Sequence, residues 1–128
     1  MSKIPEFRAW YDNKMWCLAK LDLWGDPDQA TCDLAPYMPK YEELYDIYLS
    51  DVILMQSTGL KGKDGVEIYE GDIVRYFRNE LAVIVYRNGG VDIRSLSWGD
   101  CEPLQRRLGE IEVIGNIYEN PEVLAAEE

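Results

Sequence analysis

The stretch DVILMQSTGLKGKDGVEIYEGDIVRYF, residues 51–77, decides the fold class of this chain. It begins with a short apolar run, Val52 to Gln56, which indicates a buried strand. Lys63-Asp64-Gly65 then marks a turn, because glycine adopts a positive φ without a steric penalty. The segment from Asp72 to Arg78 is rich in β-branched and aromatic residues and predicts the next strand. The middle of the chain is therefore predicted to be β structure.

The same pattern of strand-like runs and turns continues toward the C-terminus. Leu81 to Arg87 and Val91 to Ser95 predict two further strands, and Asn88-Gly89-Gly90 between them is typical of a tight hairpin turn. Ile111 to Tyr118 predicts a last strand, in which Gly115 interrupts the apolar run and indicates a bulge. We therefore expect consecutive antiparallel strands with short connections.

The order of these strands is typical of a closed barrel. Residues 66–118 hold about five candidate strands, the last of which returns after a longer connection, and small barrels of this kind hide the unpaired edges of a sheet. We therefore predict a mainly β protein built on a small antiparallel barrel of the Src-homology-3 type over about residues 66–118.

Both ends of the chain carry local signals. Glu6 to Tyr11 and Met15 to Leu23 flank Asp12-Asn13-Lys14, and this pattern predicts an N-terminal hairpin because Asp and Asn tolerate left-handed backbone. Near the other end, Asn120-Pro121-Glu122 predicts the start of a short helix over residues 121–126.

Residues 25–50 have a different hydrophobic pattern. Tyr41, Leu44, Tyr45 and Tyr48 recur at the i, i+3, i+4, i+7 spacing of a helix face, and Pro39 suits a first helical turn. We predict a helix over about residues 39–48.

The length of 128 residues predicts a single domain. Its expected parts are an N-terminal hairpin (1–24), an insertion with the helix (25–50), the barrel core (51–120) and a helix and tail (121–128).

Charge and composition exclude several functions. Lys and Arg number 13 against 24 Asp and Glu, and the formal net charge of −11 opposes binding to a phosphate backbone. We therefore do not expect nucleic acid as a partner. The chain has no His, which removes Ser-His-Asp and Cys-His catalysis together with the commonest metal ligand.

The compartment follows from the cysteines and from hydropathy. Cys17, Cys32 and Cys101 have the irregular spacing of free thiols rather than of a zinc site or a disulfide framework. No apolar run approaches the length of about 18 residues that a membrane helix needs, and the N-terminus lacks the apolar core of a signal peptide. We expect a cytoplasmic protein without a membrane partner.

One acidic group has residue types that could form a metal site. Asp64, Glu67, Glu70 and Asp72 lie beside a glycine-rich turn and carry the oxygen ligands that Mg²⁺ and Ca²⁺ prefer, which makes a metal-dependent hydrolase one alternative. In a strand, however, Glu67 and Glu70 point to opposite faces. We assign no catalytic residue, no metal ligand and no cofactor, and we expect the protein not to be an enzyme.

A second alternative is a small barrel that binds single-stranded nucleic acid by stacking on aromatic rings. Arg75, Arg78, Arg87 and Arg94 lie on neighbouring predicted strands and could form a local basic stripe. Strand parity places Arg75 and Arg78 on opposite faces, which counts against it.

Three blocks of the sequence resemble a known family. They are FRAW (7–10) followed by Met15, DVILMQSTGLKGKDGVEIYEGDIV (51–74) and IEVIGNIYENPEVL (111–124). Together they resemble the YopX family of small phage and prophage proteins, whose pattern is an FRAW hairpin, a QxTGLxDxxGxxIYEGDIV core and a closing EVIGNIYENPELL. Gly62 stands where that pattern has Asp, which affects only the detail of one turn. The resemblance implies a mainly β protein of the bacterial host cytoplasm and carries over no activity and no catalytic residue.

The residues of these blocks have a physical interpretation. Gly59, Gly65, Gly71 and Gly115 are expected to set turns or bulges and, with Asp72, to define the fold. The candidate core residues are Ile68, Ile73, Val74, Val113, Ile114 and Ile117.

The functional prediction rests on aromatic content. With 4 Trp and 9 Tyr in a small chain, we expect some rings to reach the surface, where Trp and Tyr favour protein interfaces. The candidate contact residues are Trp10, Trp98, Tyr118, Asn116 and Glu119, although capping and edge pairing account equally well for the last three. We predict an accessory protein that acts through protein–protein contacts, as a homo-oligomer or with a host or phage protein. In a more specific version, the acidic surface mimics nucleic acid.

Overall fold

The computed structural model describes residues 6–36, 42–87 and 89–126. Strands dominate these residues. The strands are β1 (Phe7–Tyr11), β2 (Lys14–Asp22), β3 (Thr31–Pro36), β4 (Leu44–Tyr48), β5 (Ile53–Lys61), β6 (Glu67–Tyr69), β7 (Asp72–Tyr76), β8 (Glu80–Arg87), β9 (Gly90–Ser95), β10 (Cys101–Pro103) and β11 (Glu112–Asn116). One α-helix, α1 (Pro121–Ala126), and four 3-10 segments, Pro27–Gln29, Leu49–Asp51, Phe77–Asn79 and Leu104–Glu110, complete the described elements. The mainly β prediction, the N-terminal hairpin and the C-terminal helix are confirmed.

The described chain divides into two compact units, and the boundary between them in the sequence falls within β5. We call residues 6–56 the N-terminal unit and residues 57–126 the C-terminal unit. The single domain expected over residues 1–128 stays a prediction.

The N-terminal unit is an antiparallel sheet in the order β4-β3-β2-β1, with the first residues of β5 beside β1. Its first turn is formed by Asp12 and Asn13, which have φ values of 53° and 56°. The Trp16 Nε1–H donates to the Tyr11 carbonyl at 2.9 Å and closes the same hairpin. The fully buried residues of its core cluster are Ala9, Trp16, Cys32 and Leu34.

The helix predicted over residues 39–48 is wrong for residues 44–48, which form β4, whereas residues 39–41 lie outside the described residues. The cause is a bulge. Asp46 has a φ of 54°, and the pairing with β3 shifts register at this point. The extra residue places Leu44 and Ile47 against the core although they are three positions apart, so the strand imitates the spacing of a helix.

The C-terminal unit is built on a five-stranded antiparallel sheet in the order β10-β9-β8-β7-β11. The end of β5 pairs separately with β6. The turn expected at residues 88–90 joins β8 to β9; Gly89 has a φ of 79°, and Asn88 lies outside the described residues. The buried core cluster contains Ile68, Val74, Ala82, Ile84, Ile93, Leu104 and Ile111.

The closed barrel predicted over residues 66–118 is wrong, since the described sheet is open and ends at β10 and β11. A barrel would require these two strands to pair. Instead, the 3-10 segment Leu104–Glu110 connects them, and its Leu104 is completely buried in the core together with Ile68 of β6. The apolar face of the sheet is thus covered by a connecting segment and by β6, which removes the need for closure.

The other predicted core positions differ in burial. Ile68, Ile73 and Val74 are completely buried. Val113 and Ile114 are half-buried, because β11 lies at the edge of the sheet and carries a register shift between Val113 and Gly115. Ile117, which follows β11, is also half-buried.

Candidate interaction surface

An open groove of about 560 Å³ lies in the C-terminal unit. It is lined by Arg75, Asn79, Glu80, Leu81 and Ser97. We call it the Arg75 groove.

The walls of the Arg75 groove are held by backbone pairing. Arg75 of β7 lies opposite Leu81 of β8, and the Leu81 carbonyl accepts the N–H of Leu96 at 3.0 Å. This bond anchors the segment that presents Ser97. The groove is therefore framed by two paired strands and a bonded loop.

The tight connection between β7 and β8 forms another part of the groove. Arg78 and Asn79 both have left-handed backbone, with φ values of 55° and 63°. This conformation costs about 1–2 kcal/mol for a residue with a Cβ, and Asn tolerates it best. The pairing of Tyr76 with Glu80 closes the connection, so Asn79 and Glu80 are held in place.

Three polar side chains of the groove make no internal bond. In the described part of the chain, Arg75, Asn79 and Glu80 have neither a side-chain hydrogen bond nor an ion pair. The guanidinium of Arg75 and the amide of Asn79 are thus available in the groove, whereas Glu80 pairs with Tyr76 and its side chain lies on the opposite face of the sheet from Arg75.

Trp98 follows the groove residue Ser97 and is 75% exposed. Its backbone is nevertheless fixed, because the Trp98 N–H donates to Ser95 Oγ at 3.2 Å. The Ser95 N–H donates to the Asp100 carbonyl at 2.9 Å, and the Gly99 N–H donates to the Ser95 carbonyl at 2.8 Å. A large ring is therefore held in solvent on an ordered turn.

Phe77 lies between two arginines. The guanidinium carbons of Arg78 and Arg107 are each 5.0 Å from the centre of its ring, which is within cation–π range. Arg107 also pairs with Glu102 at 2.8 Å and Glu110 at 3.3 Å. The hydrogen bond to Glu102, followed by that to Glu110, raises the pKa of Arg107. The charge of Arg107 is thus already used inside the unit.

The predicted contact residues differ in exposure. Trp98 is exposed, whereas Trp10 and Tyr118 are half-buried. Glu119 is exposed, and Asn116 is only 5% exposed.

The Asn116 side chain serves the turn that follows β11. Its Oδ1 accepts the N–H groups of Tyr118 at 3.0 Å and Glu119 at 2.8 Å. The backbone N–H of Asn116 donates to Asn120 Oδ1 at 3.2 Å. These bonds give Asn116 a structural role in the turn, which accounts for its presence at this position.

Among the described residues, the most exposed aromatic side chain is one for which the sequence predicted no contact role. Trp24 is 89% exposed, and its N–H donates to Asp22 Oδ1 at 3.0 Å. In the same unit, Tyr45 and Tyr48 of β4 are 63% and 54% exposed. A signal was available for Trp24, since it directly precedes the turn residues Gly25-Asp26-Pro27.

The four carboxylates considered as a metal site are not brought together. Asp64 is exposed, and buried Asp72 accepts the Tyr69 N–H at 2.8 Å through Oδ2. Across residues 6–36, 42–87 and 89–126, no three His, Cys, Asp or Glu side chains form a group that could hold a metal ion. The geometry does not favour the metal-dependent hydrolase.

The candidate basic stripe is divided. Arg75 and Arg94 lie on the same face of the sheet, as their pairing with Leu81 and Val83 shows. Arg87 pairs with Asp92 at 3.6 Å, and Arg78 lies over Phe77. The four arginines therefore do not form the continuous track that a nucleic-acid backbone needs.

Comparisons with known proteins agree with this fold. The model of a family described as YopX protein matches residues 6–125. The crystal structure of protein EF1440 from Enterococcus faecalis has a TM-score of 0.63 and 32% sequence identity, over 96% of this chain and 99% of that chain. The crystal structure of protein YopX from Bacillus subtilis has a TM-score of 0.61 and 20% identity, over 93% of this chain and 95% of that one. No curated protein matches the sequence. None of the described helices is long and apolar enough to span a membrane.

Proposed function

We propose that this chain, which belongs to the YopX family, is a non-enzymatic phage or prophage accessory protein that acts in the host cytoplasm through protein–protein contacts. The observation that carries the proposal is Trp98. A partner that covers this ring, which is 75% exposed, orders the side chain but not the backbone, because the turn is already hydrogen-bonded. Tryptophan is also among the residues that contribute most to binding energy at interfaces.

The outermost strands indicate how a partner is contacted. The edge strand β4 carries a bulge at Asp46, whose N–H is already bonded to Asp33 Oδ1 at 3.0 Å. β10 has three residues and ends at Pro103, and β11 is interrupted between Val113 and Gly115. Short, bulged or proline-bearing edges resist the addition of another strand. The contact is therefore made by side chains rather than by strand pairing.

The first partner to test is a second copy of the chain. Copies that each carry a net charge of −11 repel one another, so self-association is expected to strengthen as salt rises. Light scattering over a range of protein and salt concentrations measures this directly. Affinity capture from host and infected-cell extracts tests the alternative of a different protein.

The decisive variant is Trp98→Ala, with Trp24→Ala as its matched control. Both tryptophans are exposed, so neither change should affect folding. We expect Trp98→Ala to abolish the self-association or the capture of a partner, and Trp24→Ala to preserve it. A wild-type chain that stays monomeric and retains no protein would refute the proposal.

A further inference from the structure

We propose that the Arg75 groove binds the carboxylate of an acidic side chain within an extended peptide segment of the partner, with Arg75 as the residue that pairs it. The inference rests on the proposed function, since it names the chemistry of the partner that Trp98 contacts.

Arg75 is the group that attracts the carboxylate. A guanidinium presents two parallel N–H donors that match the two oxygens of a carboxylate. Arg75 is exposed and makes no ion pair among the described residues. Its cross-strand neighbour Glu112 does not neutralise it, because Glu112 pairs with Lys63 at 3.4 Å instead.

Two other arginines of the C-terminal unit are already paired. Arg87 pairs with Asp92, and Arg107 pairs with Glu102. Arg94 is also without a described partner, but it does not line the groove. Arg75 therefore combines an available charge with a position in the groove.

The remaining groove residues favour a peptide over a phosphate ligand. The net charge of −11 opposes the approach of a polyanion such as a phosphate backbone. Asn79 can both donate to and accept from a peptide unit, and Leu81 offers an apolar contact. This mixture of donors and acceptors suits an extended peptide with one negative side chain.

The test uses a small probe that represents the ligand. N-acetyl-glutamate N-methylamide is titrated into the ¹⁵N-labelled full chain, with the N-acetyl-glutamine analogue as the matched neutral probe. We expect the backbone amide signals of Asn79, Leu81 and Ser97 to shift with the glutamate probe and not with the glutamine probe.

Variants assign the site. Arg75→Ala should weaken the binding of the glutamate probe by about tenfold or more. A change of this size corresponds to the loss of one charge-assisted hydrogen-bonded pair. Arg94→Ala removes a similar exposed arginine from the same sheet face and should leave the affinity unchanged. The dispersed amide spectrum of each variant verifies that it is folded. Arg75→Glu should reverse the charge preference of the groove, so that it binds N-acetyl-lysine N-methylamide in preference to the glutamate probe.

The outcomes separate the two proposals. If the glutamate probe binds through Arg75 while the chain contacts no protein, the proposed function fails and the site stands. If a partner binds through Trp98 while the probe shifts no groove amide, the inference alone is overturned. An oligodeoxythymidine that shifts these amides while the peptide probe does not would also overturn it.

Discussion

Asn116 Nδ2 donates a hydrogen bond to Glu119 Oε1 at 2.7 Å, so two residues that the sequence offered as contact candidates bind each other. The same Asn116 side chain accepts two backbone N–H groups of the following turn. Three hydrogen bonds within the turn after β11 thereby satisfy its polar groups from within. This arrangement explains the closing motif as a device that joins the last strand to α1.

The first prediction concerns Gly115. A Cβ at this position would clash with the Asn120 side chain, which accepts the Asn116 N–H. Gly115→Ala should therefore lower the free energy of unfolding by about 1–3 kcal/mol, as expected for overpacking. Urea denaturation measures it. Gly109→Ala is the control, because nothing lies within 4 Å of the added Cβ; equal stability losses in both variants would contradict the steric argument.

The second prediction concerns Asp72, whose side chain is 1% exposed and accepts the Tyr69 N–H at 2.8 Å. This bond spans the turn at Gly71, which has a φ of 87°. Asp72→Ala leaves a part-buried N–H without its acceptor and should cost about 1–3 kcal/mol in thermal or urea unfolding. Exposed Asp64→Ala should change stability by less than about 0.5 kcal/mol. Unaltered stability of Asp72→Ala would show that this bond is dispensable.

The third prediction concerns the stack on Phe77. Arg107→Ala removes a cation from the ring and leaves Glu102 and Glu110 without their shared partner. We expect a small decrease in Tm that shrinks as salt is added, because these ion pairs are partly exposed and screened. Arg106→Ala, at an exposed position with no described partner, should leave the Tm unchanged. A decrease in Tm that does not depend on salt would show that the effect comes from packing alone.

The fourth prediction concerns pH. Burial, with a smaller contribution from Asp33, raises the pKa of the Cys32 thiol. The thiol of the unfolded chain ionises near pH 8.5, so the stabilising effect is complete below that pH and is lost as pH rises through the folded pKa. Unfolding experiments from about pH 8 upward should show this loss.

A variant isolates that contribution. Cys32→Ala should reduce the alkaline loss of stability, and Cys17→Ala, at a half-buried position, serves as the comparison. In the native chain, a thiol reagent should modify Cys17 and Cys101 before the buried Cys32. Rapid modification of all three thiols would contradict the burial of Cys32.

Some elements could be predicted because their signals are local. The hairpin at Asp12 and Asn13 and the helix at Pro121 depend on residues within one turn of chain. β4 could not be predicted in this way, because the bulge at Asp46 gives Leu44 and Ile47 the spacing of a helix face. A local pattern cannot show which strand supplies the opposite side of a bulge.

The same distinction applies to the candidate site. The abundance of tryptophan predicted that some rings reach the surface, but it did not select Trp24 or show that Trp98 rests on a bonded turn. Likewise, Arg75 became distinctive only when Glu112, its neighbour across the sheet, proved to pair with Lys63. Such properties depend on residues far apart in the chain.

By itself, the sequence determined a mainly β chain of the YopX family with a strong negative charge and no histidine chemistry, because propensity, turns and composition are properties of neighbouring residues. Only the tertiary structure decided that the sheet stays open. Leu104 enters the core from the segment before β11 and covers an apolar face that would otherwise have to close on itself. Burial of this kind is set by long-range packing, which no local pattern encodes.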